Sequence, residues 1–447
     1  MLWQDHYFWI AICLFMLAVF ICKMIAYERR DQDTNTYNAK YFDQWIREQK
    51  PSKIHNDGLL IIDLSKILRT SGLYSQEIAN TLICNLASQF LQLQKEPLIF
   101  RLKSSIFIIV TKSKEEQQKL SNKISQLLQQ CFFIKGKHIN CHGKLISATE
   151  IHKLTSVEQL LPYIDFLLEH ARKQTNSPFF EDNEEILQQF IYEQKVESYL
   201  QYALEHNLFE VYYQPAFNLK KQCFTSIEAL SRLYIEKLGW ISPELFMRLA
   251  SNNGMILQIM PMQVEAICKF VAEHKNELSA IESMKINLTP NEIIEPGYCQ
   301  QLLDIISKYQ LPYSFFQFEI VESTATQYTE ELTATVKLLQ EAGVSLCLDD
   351  FGSGFANLNT VLRLPFKVIK LDRSLLRDIC KNQPAAIFYR SLVQTFNSLG
   401  YKLVAEGVEN AQEAELLKQW QVEAIQGYYY AKPMPEDELI KLLKEKK

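Results

Sequence analysis

Asp349 and Asp350 stand side by side at the end of an apolar run, in CLDDFGSGFANL, and a glycine-rich turn follows them. Adjacent carboxylates repel, so in a cleft they require a shared proton or a cation between them. The same step from apolar run to polar residue recurs along the C-terminal half. It gives Gln214 in FEVYYQP, Glu228 and Arg232 in SIEALSR, Asn287 in SMKINLT, Glu319 and Glu322 in FQFEIVES, Lys370 in KVIKLD, Glu406 in KLVAEGVE and Gln426 in EAIQGYYY. Singly, each has a plain structural reading. An Asp-Gly cluster makes a turn, Glu322 fixes a loop by accepting hydrogen bonds, and a lone lysine such as Lys370 is a surface residue.

Together they describe a site. Uncompensated charge is costly to bury, and the donors here are oxygens with no His or Cys among them. Such a set selects hard cations, Mg²⁺ or Mn²⁺, over zinc. Two of them about 3.5–4 Å apart can clamp a phosphate and activate water, which is the chemistry of phosphodiester hydrolysis. Asp349 is the candidate bridge between the two. Lys370 would orient the water or stabilise developing charge, and Arg232 would hold a phosphate oxygen. Glu406 could take the water's proton, ligate the second cation, or do both in turn.

Converging so many strand ends on one place requires a particular architecture. From residue 209 onward, eight short apolar runs alternate with helical patterns such as PELFMRLASNNG, EELTATVKLLQEAG and FYRSLVQTFNSLG. That alternation fits a (β/α)8 barrel, in which the C-terminal ends of the strands meet at one mouth. A doubly wound open sheet is the alternative.

The runs SIEALSRL, KINLTP, FEIVES, CLDDFGSGFANL, VIKLDRSLL, LVAEGVEN and IQGYYYAKPMP, in this order, resemble the motifs of the EAL family of cyclic di-GMP phosphodiesterases over about residues 194–444. The resemblance implies an α/β fold, a modified (β/α)8 barrel with an antiparallel first strand, and hydrolysis of cyclic di-GMP to linear pGpG with two Mg²⁺ or Mn²⁺ ions. It implies that Glu228, Asn287, Glu319 and Asp349 are metal ligands and that Asp350 serves the second metal. Lys370 and Glu406 match the catalytic lysine and the glutamate that acts as base or ligand. Gln426 matches a glutamine near the active-site water, and Gln214, Leu230 and Arg232 match substrate-contact positions. Glu322 matches the glutamate bracing the loop DFGSGFANL. Dimerisation through the barrel is also implied. A barrel that binds cyclic di-GMP without hydrolysing it, signalling through a protein partner, is the runner-up. A kinase reading of Asp-Phe-Gly lacks its H-R-D and glycine-rich loops.

The remainder of the 447 residues leaves room for two or three units. A formal net charge of -5, with no basic stripe, excludes a nucleic acid polymer as partner. The ten scattered cysteines fit reduced thiols. Residues 7–27, apolar except for Lys23 and followed by YERR, predict a single transmembrane helix that leaves the rest of the chain on the cytoplasmic side of an inner membrane. A juxtamembrane linker or short helix, with Tyr41, Trp45 and Ile46 at helical spacing, is expected over 28–54, a small α+β domain over 55–175 and the barrel over 190–447. The small domain resembles the GGDEF diguanylate cyclase fold in outline, but RLKSSIF (101–107) stands where that family carries its glycines and acidic pair. Asp63 is kept after the first strand. The resemblance implies a degenerate, regulatory or dimer-forming module.

Overall fold

The structure is a computed structural model that describes residues 27–48, 58–69, 75–95, 97–174, 177–322, 330–354 and 358–445, with Met16 and Met24 in addition. The expected membrane helix over 7–27 therefore lies almost wholly outside the described residues. Among the described residues, no helix is long and apolar enough to cross a membrane. The chain divides into two compact units, Met1–Tyr192 and Glu193–Lys447.

The first unit is built on a six-stranded sheet. Its strands are β1 (Tyr37–Asn38), β2 (Gly58–Asp63), β3 (Ile99–Lys103), β4 (Ile106–Thr111), β7 (Lys144–Ala148) and β8 (Phe179–Glu181), in the order β1-β3-β4-β2-β7-β8. A separate hairpin joins β5 (Cys131–Ile134) to β6 (Lys137–Asn140). The run 59–62 within GLLIID is apolar at every position because both of its faces are covered. Leu59 and Ile61 pack with Phe42, Ile46 and Tyr163 on one side, and Leu60 and Ile62 with Leu82, Leu86 and Ile124 on the other. The stretch expected to be a linker is in part a component of this unit. Tyr37 and Asn38 pair in parallel with Phe100 and Arg101, and the amphipathic helix Ala39–Glu48 buries Phe42 and Ile46. RLKSSIF forms the β3–β4 hairpin, where Arg101 pairs with Asp31 at 2.8 Å. Asp63 is engaged by Arg172 Nε at 2.7 Å and by the backbone N–H of Ser65 at 2.9 Å.

In the second unit the strands close on themselves. They are β9 (Phe209–Asn218), β10 (Cys223–Ile235), β12 (Ser283–Leu288), β13 (Phe316–Val321), β14 (Ser345–Phe351), β15 (Phe366–Leu371), β16 (Lys402–Glu406) and β17 (Ala424–Gln426), in that order around the barrel. β9 runs antiparallel to both β10 and β17, and the other neighbours are parallel. A short strand, β11 (Gly239–Ile241), extends β10 as an antiparallel hairpin. This closure excludes the open sheet. Side chains alternate along a strand, so Phe316, Phe318 and Ile320 join the large core that includes Leu339 of the helix Glu330–Ala342, while Gln317 and Glu319 take the other face.

One buried acid near the site carries a stability prediction. Glu292, in the helix Pro290–Ile294 after β12, accepts hydrogen bonds from Thr289 N (2.6 Å) and Tyr298 Oη (3.1 Å). Burial outweighs these bonds and pushes its pKa up from 4.5 to about 7. Between those pH values the unfolded chain releases a proton that the folded chain keeps. Stability therefore falls as pH rises through the window and levels off above it. Glu292→Gln keeps a capping side chain without the ionisation. The variant should match the parent near pH 4 and exceed it by up to about 3 kcal/mol above pH 7. A melting-temperature difference that does not change with pH would overturn this.

Candidate active site

The period-2 alternation of the strands aims one residue from each at the barrel axis. Lys370 sits in the middle, with its side chain 1% exposed. Its Nζ lies 3.0 Å from Glu228 Oε2, 2.9 Å from Glu319 Oε2, 3.0 Å from Asp349 Oδ1 and 2.8 Å from Glu406 Oε1. Four carboxylates from four strands thus meet one ammonium group.

Amides hold the first of these acids in place. Asn287 Nδ2 donates to Glu228 Oε1 at 2.9 Å, and Gln426 Nε2 donates to Glu228 Oε2 at 2.6 Å. The same Gln426 nitrogen reaches Gln214 Oε1 at 3.2 Å, and Gln214 Nε2 donates to the Ala431 carbonyl at 3.0 Å. Gln214 and Glu228 are direct register partners on β9 and β10, so the antiparallel strand brings its amide into the group.

Asp350 has φ of +54°, a left-handed conformation that a non-glycine residue adopts at a cost of about 1–3 kcal/mol. Its N–H donates to Asp349 Oδ1 at 3.0 Å. Glu322 Oε2 accepts from Gly352 N at 3.1 Å and so ties the end of β13 to the loop after Asp350. Gly352 has φ of +96°, and a Cβ there would lie 2.4 Å from Leu375, so the turn needs glycine. Residues 355–357 of the loop lie outside the described residues.

The group carries an excess of negative charge. Among the described residues, the five carboxylates Glu228, Glu319, Asp349, Asp350 and Glu406 share two paired cations, Lys370 and Lys285. Burial and the neighbouring Glu228 push the Glu319 carboxyl up to about 8. Burial and Asp349 push Asp350 up to about 6. Burial works to raise Glu228 as well, but Lys370 and the Gln426 amide outweigh it and hold its pKa below the usual range. Glu406 is raised by burial, against the pull of Lys370.

The donor set fits two hard cations. Glu228, Glu319 and Asp349 offer oxygens within 4.8 Å of one another, and so do Asp349, Asp350 and Glu406, with Asp349 common to both sets. Glu319 Oε1 is buried without a hydrogen-bond partner, as suits an oxygen available to a metal ion. The remaining site residues sit further along β10. Leu230 and Arg232 are two and four positions beyond Glu228 on its face of the strand. Arg232 lies 5.4 Å over the Tyr212 ring and donates to the Ser231 carbonyl at 2.8 Å, so it is joined to none of the carboxylates by these contacts.

Sequence reasoning missed Lys285. This residue is 2% exposed, with Nζ 3.4 Å from Glu319 Oε1. The signal was its position two residues before Asn287, which places it on the same inward face.

Known proteins match this picture. Residues 197–433 match the family model described as EAL domain. The bifunctional diguanylate cyclase/cyclic di-GMP phosphodiesterase MucR of Pseudomonas aeruginosa is 23% identical over 430 residues, covering 94% of this chain and 62% of that protein. The chain spans about half the length of the curated relatives it matches. Among solved structures, the PaMucR phosphodiesterase in its c-di-GMP complex is 26% identical with a TM-score of 0.52, covering 55% of this chain and 99% of that one. The Vibrio cholerae LapD S helix-GGDEF-EAL structure is 17% identical with a TM-score of 0.59, over 92% of this chain and 98% of that one, and shares the fold.

Proposed function

This chain belongs to the EAL domain family, and from that premise we propose that it hydrolyses cyclic di-GMP to linear pGpG with two Mg²⁺ or Mn²⁺ ions. The place of Asp349 in both oxygen triads carries this reading. The names of the similar proteins, among them a cyclic di-GMP phosphodiesterase and a phosphodiesterase in complex with c-di-GMP, support the substrate.

When bound, the cations would supply Lewis-acid activation of the water and of a phosphate oxygen. Glu228, Glu319 and Asp349 would hold one, with Asn287 beside them, and Asp349, Asp350 and Glu406 the other. Asn287 and Gln426 fix the orientation of Glu228 through the hydrogen bonds they donate to it. Arg232, on the mouth side of Glu228, is placed to take a phosphate oxygen of the substrate, and Leu230 to border the bound nucleotide. Because the product keeps its phosphate at the 5′ position, water attacks phosphorus, the bond to the 3′ oxygen breaks, and a proton ends on that oxygen. Glu406, whose side chain is 17% exposed, would accept the water's proton, ligate the second cation, or do both in turn. Lys370 lies within 3.0 Å of Asp349 and Glu406 and is placed to stabilise charge building on the phosphate.

Incubating the purified chain with cyclic di-GMP and Mn²⁺ or Mg²⁺ tests the reading, with pGpG as the expected product. Saturable binding without pGpG under either metal would replace it with the receptor reading. The apolar stretch 7–27 supports anchoring of the chain in a membrane, with both units on the cytoplasmic side. Recovery of the full chain in the soluble fraction would refute that. The first unit, lacking an acidic turn in RLKSSIF, is assigned a regulatory rather than a cyclase role, and formation of cyclic di-GMP from GTP would overturn it.

A further inference from the structure

At the opposite end of the barrel from the carboxylates lies a cavity of about 240 Å³. Its lining includes Ser226, Lys285, Gln317, Val368, Val404 and Ala424, each two positions before a residue of the proposed active site and therefore on the same inward face. One arc of this ring is apolar, with Val368, Val404 and Ala424 packed against Cys347. The other arc is polar. Lys285 and Gln317 are register partners on β12 and β13, and Gln317 and Ser345 are partners on β13 and β14.

Two atoms of the polar arc make no hydrogen bond. Gln317 Nε2 donates to Ser345 Oγ at 3.1 Å, but Gln317 Oε1 is buried with no hydrogen-bond partner, and so is Lys285 Nζ. Both side chains are more than nine-tenths buried, at 3% and 2% exposure. Lys285 Nζ is ion-paired with Glu319 Oε1 at 3.4 Å but makes no hydrogen bond, and a buried acceptor with no partner, such as Gln317 Oε1, is rare in a folded interior. The acidic residues of the lining are already engaged, since Glu423 pairs with Lys402 at 3.3 Å and Glu282 with Lys221. Lys367, exposed at the cavity, adds a second cationic group.

We infer that this basal cavity is a second ligand site and that it takes a hydrogen-phosphate group, free or as a small monoester. Its anionic oxygens accept from Lys285 Nζ, with Lys367 at the entrance, and its O–H donates to Gln317 Oε1. The ligand class follows from a lysine with N–H donors to spare next to an amide oxygen with no donor, because a fully deprotonated oxyanion satisfies the lysine and not the amide oxygen. Lys285 also faces Glu319 at 3.4 Å, so the two ends of the barrel share one charged side chain. The inference stands apart from the hydrolysis proposal, and its test involves no turnover.

The test is calorimetric titration of the full chain with inorganic phosphate near pH 6, where a phosphate group retains a proton. EDTA is present so that no metal draws phosphate to the carboxylates. One saturable site is expected, with sulfate at least tenfold weaker. Gln317→Met and Lys285→Met should each weaken phosphate at least tenfold, and melting curves in the same buffer establish that each variant is folded. Glycerol phosphate competing for the site would identify a monoester as an accepted form, and its failure to compete would restrict the site to free phosphate. Absence of saturation would show a cavity that holds solvent only and would overturn the inference. Binding unchanged in Gln317→Met, or sulfate as tight as phosphate, would overturn it equally.

Discussion

Replacing Asp349 by Asn is expected to lower turnover of cyclic di-GMP by about 10³-fold or more while leaving the barrel folded. The substitution keeps the size of the side chain and an oxygen for the Asp350 N–H that it now accepts at 3.0 Å. What it removes is the only charge common to both oxygen triads, and so both proposed cation positions lose a ligand charge at once. Loss of one hydrogen bond to the transition state costs about 10²–10³, so a position shared by both cations should sit at or above that range. The measurement is kcat and KM with Mn²⁺, together with a melting curve. Activity within tenfold of the parent, in a variant that melts normally, would remove Asp349 from the bridging role.

Lys370→Met should affect the fold as strongly as the chemistry. In the parent, one enclosed ammonium lies within 3.0 Å of oxygens from Glu228, Glu319, Asp349 and Glu406. Taking it away leaves buried carboxylates facing one another with Lys285 as the nearest remaining cation. Removing one partner of a buried charge group costs about 3–5 kcal/mol. In EDTA the variant should therefore melt well below the parent. Adding Mn²⁺ should recover much of the difference, because a cation bound only by the folded chain stabilises it by mass action. Turnover should stay depressed in the recovered protein. A variant that melts like the parent in EDTA would mean that the carboxylates are neutralised by protons, and that Lys370 is dispensable for holding them.

Much of this site was legible before any coordinates. Strand ends carrying Glu228, Asn287, Glu319, Asp349, Lys370, Glu406 and Gln426 announce themselves by the step from apolar run to polar residue, which is a local property of each strand. Oxygen-only donors select the class of cation from residue type alone. The antiparallel setting of β9 came from the family resemblance, since alternating hydrophobicity carries no information about strand direction.

Other features depended on contacts remote in sequence. Nothing near Lys370 says that it meets Glu228 across 142 positions and Glu319 across 51, because that meeting depends on how the barrel closes and how its strands are staggered. Residues 28–54 read as a juxtamembrane linker or short helix, and the helix Ala39–Glu48 is there, yet Tyr37 and Asn38 become an edge strand because Phe100 and Arg101 offer them an unpaired partner. Lys285 and Gln317 are unremarked polar residues inside apolar runs, and only the closed barrel sets them side by side, with Gln317 Oε1 and Lys285 Nζ making no hydrogen bond. The sequence by itself determined which groups reach the barrel axis, because the side-chain period of a strand is fixed by its backbone. Tertiary structure decided which of those groups touch, because that depends on register between strands that the chain joins only through its fold.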